Sequence, residues 1–395
     1  MPTVRLKPGH VQPVWTGHPW VYAQAVDRID GEAVHGDEVL VLDPRGNSLG
    51  KGFYSPGSAI AVRLLTRDPG EPLERAFFEK RIERARLFRA QLGLPSDETT
   101  GYRLIHAEGD ALPGLIVDVF GDVLCVQFLT AGMKRREALV LDALEGVMKP
   151  RAIVDRTPPA TAKAERFDAA SGPVRGERID ALAFSERGFR YRIPLDLGQK
   201  TGFYFDQRGL RARVGELAHG KRVLDAYAFV GSFALAAARG GATQVDAVDE
   251  SAVAVAGEAV SREHGFDERI AFHKADARKF LHERAEANAR YDLVVLDPPR
   301  LAPSRGSRDH ALVAYSKLAE AGARLTTEGG TLVLCSCSAA VDLHALTRAL
   351  ATGALHARKQ AFVWERHFQG PDHPVNAAFP EGLYLKALVA RIEAR

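Results

Sequence analysis

The sequence predicts a multidomain chain: a small N-terminal β-barrel over residues 1–72, a central α+β domain over 73–185, and a C-terminal α/β, Rossmann-like domain over 186–395. Three observations carry that reading. The first 72 residues hold short apolar runs separated by turn-rich pieces, without a helical repeat. Residues 74–92 then switch to helical periodicity and are followed by strand patterns. From Lys221 onward strands and helices alternate, the pattern of a doubly wound parallel sheet. With 395 residues there is length for two or three cores.

In the N-terminal part, Val21–Val26, Glu38–Asp43 and Ser58–Leu65 read as strands. Asp43-Pro-Arg-Gly-Asn47 and Ser55-Pro-Gly-Ser58 are the turns between them, and several short strands without helices suggest a barrel. Trp20 and Tyr22 are expected as core aromatics. Asp68-Pro-Gly-Glu-Pro72 is a linker, and Phe77, Phe78, Ile82, Leu87 and Leu92 mark the helix that follows it. Tyr102–Ile105, Leu115–Phe120, Val123–Leu129 and Ala152–Asp155 read as strands, with Gly121-Asp122 as a two-residue hairpin turn. A helix is expected at about 134–148, its Lys134-Arg-Arg136 start facing solvent. Residues 157–178 are expected to form a surface loop.

In the C-terminal part the strands are Arg222–Ala226, Gln244–Val248, Arg269–His273, Tyr291–Leu296 and Thr331–Leu334. Helices run through Ser232–Ala238, Ala252–Glu263, Ala277–Ala287 and Asp309–Thr326, and 361–368 and 383–391 are two further strands. Ligands bind at the carboxyl edge of such a sheet. There, Val223-Leu-Asp-Ala-Tyr-Ala-Phe-Val-Gly-Ser-Phe233 is a strand, a tight turn and a helix start, with Asp225, Gly231 and Phe233 at the cofactor. One glycine is a poor fingerprint for a dinucleotide, whose pyrophosphate needs several. S-adenosylmethionine (SAM) has no phosphate and tolerates such a turn. Asp249 ends the second strand, where a carboxylate can take both ribose hydroxyls; Asp276 ends the third, facing the adenine amino group or capping the next helix. Three acids at successive strand ends favour SAM over NAD.

Asp297-Pro-Pro-Arg300 ends the fourth strand, and the prolines stiffen the exit that carries the Asp297 carboxylate. Cys335-Ser-Cys-Ser338 ends the fifth. A regular strand would point Cys335 and Cys337 the same way. The chain must leave the sheet at its edge, so Cys337 is expected nearer the open cleft and Cys335 in packing.

Three cysteines form no disulfide framework, and no Cys/His spacing resembles a zinc site, so no metal is expected. A reducing cytoplasm is the expected compartment. No run of about 20 apolar residues predicts a membrane span. A net charge of +3 permits a nucleic-acid partner without demanding one.

Several pieces together resemble one family: Lys200-Thr-Gly-Phe-Tyr-Phe-Asp-Gln-Arg208, Leu296-Asp-Pro-Pro299, Cys335-Ser-Cys-Ser338, Asp372-His-Pro-Val375 and Phe379-Pro-Glu-Gly-Leu-Tyr-Leu-Lys386. They are similar to bacterial large-subunit (23S) ribosomal RNA cytosine-C5 methyltransferases of the RlmI-like type, and the likeness spans nearly the whole chain. His18–Tyr22 with Gly52-Phe-Tyr-Ser55 resembles the opening of PUA domains, small RNA-binding barrels. The resemblance implies a PUA-like domain, a central domain and a class I SAM-dependent methyltransferase domain. It implies SAM as cofactor and large-subunit ribosomal RNA as partner. Cys337 falls on the nucleophile, Asp297 on the residue facing the base's N3/N4 edge, and Thr201, Gly202, Tyr204, Gln207 and Arg208 on the segment that closes over SAM. Phe229-Val230 stands where relatives have Tyr-Thr, and Arg300 where amine methyltransferases have an aromatic residue.

Two other readings stay open at this point. One is a SAM-dependent methyltransferase acting on uridine C5 or guanine; the other is an RNA-binding ribosome-assembly factor on an inactive methyltransferase fold. A homodimer is likewise left open.

Overall fold

The computed structural model describes residues 1–168, 172–197, 201–302 and 305–395. Two compact units are present: residues 1–203 with 371–382, and 204–370 with 383–395. Among the described residues no helix is long and apolar enough to cross a membrane.

The first unit contains a six-stranded mixed sheet in the order Trp20–Tyr22, Ile60–Thr66, Ser48–Tyr54, Glu38–Leu42, Thr3–Leu6, Val26–Asp30. Thr3–Leu6 runs parallel to Glu38–Leu42, and no ladder joins the two outer strands. A closed hydrogen-bonded barrel is therefore not what these strands make. Their alternating residues Val4, Leu6, Val39, Val41, Val62 and Leu64 bury one face. Trp20 and Tyr22 are only half-buried and lie outside that core; the Trp20 indole Nε1 donates to Glu108 at 2.7 Å and its ring packs on Phe379 at 4.5 Å.

A second sheet orders Gly172–Gly176, Ala152–Asp155, Val123–Phe128, Leu115–Phe120 and Gly101–His106, with helix Arg75–Gln91 against it. The Gly121-Asp122 turn joins the antiparallel pair as the sequence predicts. Two expectations fail here. Residues 157–178 are not a plain loop: Pro159–Ala164 is helical, and Gly172–Gly176 pairs with Ala152–Asp155. Residues 169–171 lie outside the described residues. Lys134 does not face solvent either, since it is drawn in by Asp155 at 3.0 Å and Glu137 at 2.8 Å. Arg135 pairs with Asp37 at 2.7 Å, and Arg136 donates to the Gly36 carbonyl. Basic residues at a helix start are paired here because buried and half-buried acids sit within reach. The hairpin Ala181–Glu186/Phe189–Pro194 spans the position where the sequence divides central from C-terminal parts.

Residues 371–382 return to this unit through a buried charge network. Arg89, fully buried, holds both Asp110 oxygens at 2.5 and 2.8 Å and donates to the Asp372 carbonyl at 2.7 Å. The Asp372 carboxylate accepts the Arg103 amide at 3.1 Å.

The second unit is a seven-stranded doubly wound sheet. Its strands are β1 (Arg222–Ala226), β2 (Gln244–Asp249), β3 (Ile270–Lys274), β4 (Tyr291–Leu296), β5 (Thr326–Ser336), β6 (Lys359–Phe368) and β7 (Lys386–Ala394). Helices α1 (Arg208–Leu217), α2 (Ser232–Arg239), α3 (Ala254–Glu263), α4 (Ala277–Glu286), α5 (Arg308–Leu325) and α6 (Leu343–His356) connect and cover them. The spatial order is β3-β2-β1-β4-β5-β7-β6, parallel except for β7. Continuous buried runs such as Leu293–Leu296 fit a sheet covered on both faces.

Arg89→Met leaves the Asp110 carboxylate buried without its cation, and should cost about 3–5 kcal/mol. Urea unfolding followed by fluorescence measures it; Arg89→Met with Asp110→Leu should recover much of the loss.

Candidate active site

Parallel register decides which side chains meet. Ala226 pairs with both Val248 and Leu296, and Leu296 pairs with Leu334. Asp249, Asp297 and Cys335 therefore share one level at the carboxyl edge of the sheet, with Asp225 two residues inside it.

Asp225 is fully buried. Its Oδ2 accepts the Ala234 amide at 3.0 Å, holding the first turn of α2, while Oδ1 has no hydrogen-bond partner. Burial first, then the charges of Asp297 and Asp249, push this carboxyl up to about 8. The turn that follows has three left-handed residues, Tyr227, Phe229 and Gly231, at φ +66°, +54° and +68°. Only glycine takes that conformation freely, so the two aromatics are held there by their surroundings. Asp249 does part of the holding: its Oδ2 accepts the Phe229 amide at 2.8 Å and its Oδ1 the Ser251 amide at 2.8 Å. The Phe229 ring packs edge-on against Tyr204 at 5.1 Å, and Phe233 is buried one turn on. Gly231 lies against Phe272, where a Cβ would come within 2.6 Å of the ring.

Asp276 caps α4, its Oδ1 accepting the Lys279 amide at 2.9 Å. That amide bond holds its half-exposed carboxyl below the ordinary range. Gln207 Nε2 donates to Asp297 Oδ2 at 3.0 Å, while Gln207 Oε1 is buried without a partner. Arg208 is buried and stacks over Phe205. Tyr204 lies among acids: burial, then Asp297, Asp206, Cys337 and Asp249, raise its hydroxyl above the ordinary value. Thr201 and Gly202 belong to the first unit. There Thr201 is buried, its Oγ1 without a partner, and the Cβ position of Gly202 falls 2.5 Å from Leu182. Lys200, the first residue of their segment, lies outside the described residues.

The two cysteines differ in environment. Cys335 is the penultimate residue of β5 and is fully buried; burial, then Asp297, hold its thiol well above the ordinary value. β5 ends at Ser336, so Cys337 lies outside the strand and is partly exposed. The turn carrying it is braced by Ser338, whose Oγ accepts the Ala302 amide at 3.2 Å and meets the Tyr315 hydroxyl at 3.4 Å. Lys386 donates to the Ser338 carbonyl at 2.9 Å. The sequence assigns this lysine no role, although a lysine inside the apolar run Leu385–Ala390 is an available signal.

Asp225, Asp249 and Asp297 crowd one edge, and the charges of Asp297 and Asp249 add to burial in raising Asp225's tendency to hold a proton. A ligand bearing positive charge relieves that repulsion, and a pyrophosphate would add to it. SAM carries a sulfonium and an ammonium, so this donor set, with the orphaned Asp225 oxygen, fits SAM.

The folded-state pKa of Asp225, about 8, stands above its ordinary value of 3.8, so the folded protein keeps a proton that the unfolded chain has lost. Between those values stability falls as pH rises. Asp225→Asn is neutral throughout. Its stability relative to wild type should therefore climb from about pH 4 to about pH 8 in thermal unfolding; a gap independent of pH would refute a protonated Asp225.

Comparison with known proteins identifies the domains and the fold. Residues 4–67 match the model of the PUA-like domain, and residues 103–391 match that of the S-adenosylmethionine-dependent methyltransferases. The chain is 36% identical over 396 residues to ribosomal RNA large subunit methyltransferase I of Shewanella amazonensis, covering 98% of this chain and 99% of that one. The Escherichia coli (strain SMS-3-5) protein of the same name is 35% identical over 378 residues, covering 95% of each. Among solved structures, SMU.776 complexed with SAH superposes with a TM-score of 0.86 at 19% identity, over 99% of this chain and 100% of that one. Trm5b from Pyrococcus abyssi reaches 0.53 at 16% identity, over 70% and 74%. With a PUA-like domain ahead of a SAM-dependent methyltransferase fold, and with near full-length identity above 30%, the chain belongs to the SAM-dependent ribosomal RNA large subunit methyltransferase I family.

Proposed function

We propose that the protein methylates carbon 5 of a cytosine in large-subunit ribosomal RNA through a covalent Cys337 adduct. The observation that carries this reading is a partly exposed thiol just beyond β5 on the same sheet edge as Asp297, both acting on the Tyr204 and Tyr315 hydroxyls. The relatives' name supplies the ribosomal RNA, and the PUA-like domain suits an RNA partner.

Carbon 5 of cytosine is a weak nucleophile. Addition of the Cys337 thiolate at carbon 6 makes it enamine-like, splitting one hard step into two easier ones. The Sγ–C6 bond forms first, electron density moves to carbon 5, and loss of the carbon 5 proton after methylation lets the C6–Sγ bond break and the thiolate return. Asp297, oriented by Gln207, hydrogen-bonds the N3/N4 edge and stabilises charge developing there. SAM, when bound, supplies an electrophilic methyl group. Asp225, Asp249 and the Phe229–Gly231 turn would hold it, with Tyr204, Arg208 and Phe233 flanking; Asp276 would face the adenine.

Cys337→Ala should lower methylation by a factor on the order of 10³ or more. Cys335→Ala should cost about 1 kcal/mol of stability and leave the chemistry in place. RNA containing 5-fluorocytosine traps the adduct, since fluorine blocks proton loss at carbon 5. An adduct that survives Cys337→Ala and disappears in Cys335→Ala would reverse the assignment. Nucleoside mass spectrometry of the ribosomal RNA identifies the methylated position, and 5-methyluridine or a methylguanine there would defeat the cytosine reading.

Asp249→Ala should weaken SAM binding by about 1.5–3 kcal/mol, the scale of hydrogen bonds to a charged group. Calorimetry on the folded variant checks it, and unchanged affinity would remove Asp249 from the ribose site.

A further inference from the structure

Lys386 opens β7 and is 4% exposed. Antiparallel pairing sets it opposite Ser336, the last residue of β5. Its Nζ reaches past that pair to the Ser338 carbonyl, so the side chain spans the turn carrying Cys337. The carbonyl is a neutral acceptor, and among the described residues no carboxylate forms an ion pair with Nζ. A buried ammonium without a counter-ion costs several kcal/mol, so an anion is expected beside it. Two acidic groups act on it: Cys337 and Asp342. Asp342 is already engaged, capping α6 through the Ala345 amide at 2.7 Å and pairing with Arg308 at 3.5 Å. Cys337 acts on Nζ more strongly than Asp342 does, from within the turn that Nζ clamps at Ser338.

We propose that Lys386 is the counter-charge of the Cys337 thiolate, a positioning residue whose ammonium clamps the turn through Ser338 and keeps the thiol ionised at neutral pH. The proposal rests on Cys337 being the nucleophile. Other titratable groups at this edge include Tyr204 ahead of α1, Tyr315 of α5, Cys335 of β5, Asp297 after β4, and the acids Asp206, Asp225 and Asp249. Asp297 raises Tyr204, Tyr315 and Cys335 alike, so it opposes ionisation here. A thiolate beside that carboxylate needs a cation, and lysine is a group that lowers a thiol's pKa. Burial pulls the Lys386 ammonium below its ordinary value, and the charge of Cys337 holds it up, as reciprocal pairing requires.

The test is iodoacetamide alkylation of the full-length protein as a function of pH, read on the Cys337 peptide by mass spectrometry. Cys125 is fully buried and lies on another peptide; Cys335, also fully buried, shares the Cys337 peptide and is told apart by fragment ions that split Cys335 from Cys337. The wild-type midpoint should fall below the ordinary thiol value of about 8.5. Lys386→Met should raise it by about one unit, roughly a tenfold loss of thiolate at pH 7, and Lys386→Arg should restore most of the shift. A wild-type midpoint at or above about 8.5 overturns the proposal without any variant. Equal midpoints in wild type and a Lys386→Met protein that still binds SAM overturn it as well. The 5-fluorocytosine adduct separates this from the parent reading. If wild type forms the adduct and the midpoint does not move, the lysine assignment alone fails. If the midpoint moves and wild type forms no adduct, the charge pair stands and the nucleophile role fails.

Discussion

Parallel hydrogen bonding among β1, β2, β4 and β5 is the constraint on which the second unit's chemistry depends. Because Ala226, Val248, Leu296 and Leu334 share one level of the sheet, the residues after them emerge at one edge without a dedicated scaffold. Strand interiors can then carry continuous apolar runs, as in Leu293–Leu296 and Leu332–Leu334, while Asp249, Asp297 and Cys335 stand at the exits. A one-residue slip of β5 against β4 would bring Ser336 or Leu334 to the level that Cys335 holds and turn every β5 side chain to the opposite face, so the register that packs the core also fixes where the two cysteines stand. The Asp297-Pro-Pro exit reinforces it, since neither proline can extend the ladder.

Charge at this edge is arranged in two opposed zones. On the β1–β2 side the acids outnumber their partners, and Asp225 answers by holding a proton. On the β5–β7 side the buried Lys386 donates to a neutral carbonyl and, among the described residues, pairs with no carboxylate. Each zone is costly by itself, and each is suited to a charge of the opposite sign: a sulfonium and ammonium in one, a thiolate in the other. Such local imbalance is what a site built to host transient charge requires, because a fully paired site would have nothing left to offer a substrate.

Much of this was legible in the sequence. The strands β1, β2, β4 and β5 announce themselves as short apolar runs, and their alternation with helices implies a doubly wound parallel sheet, whose strand order only the structure shows. Asp225, Asp249, Asp297 and Cys337 are readable because polar groups stand directly at the ends of those runs. What escaped was set by contacts distant in sequence. Lys134–Arg136 reads as a solvated helix start because its partners Asp37 and Asp155 lie far along the chain. Gly172–Gly176 is too glycine- and proline-rich to read as a strand, and it becomes one by pairing with Ala152–Asp155. Lys386 was visible only as an oddity within an apolar run. Its meaning depends on β7 running antiparallel beside β5, which no local pattern announces.

The loop after β1 shows how the two levels meet. Tyr227 and Phe229 are non-glycine residues in left-handed conformation, each costing of the order of 1–2 kcal/mol. A cheaper loop would place glycine there, as dinucleotide-binding turns do. The aromatics are retained in a conformation that the Asp249 carboxylate holds through the Phe229 amide, and that the Tyr204 ring backs from outside. The acid proposed for the cofactor ribose is therefore also the acid that sets the loop after β1. Binding at Asp249 and the shape of the turn are thereby coupled, so a ligand drawing on that carboxylate also acts on the backbone that must enclose it.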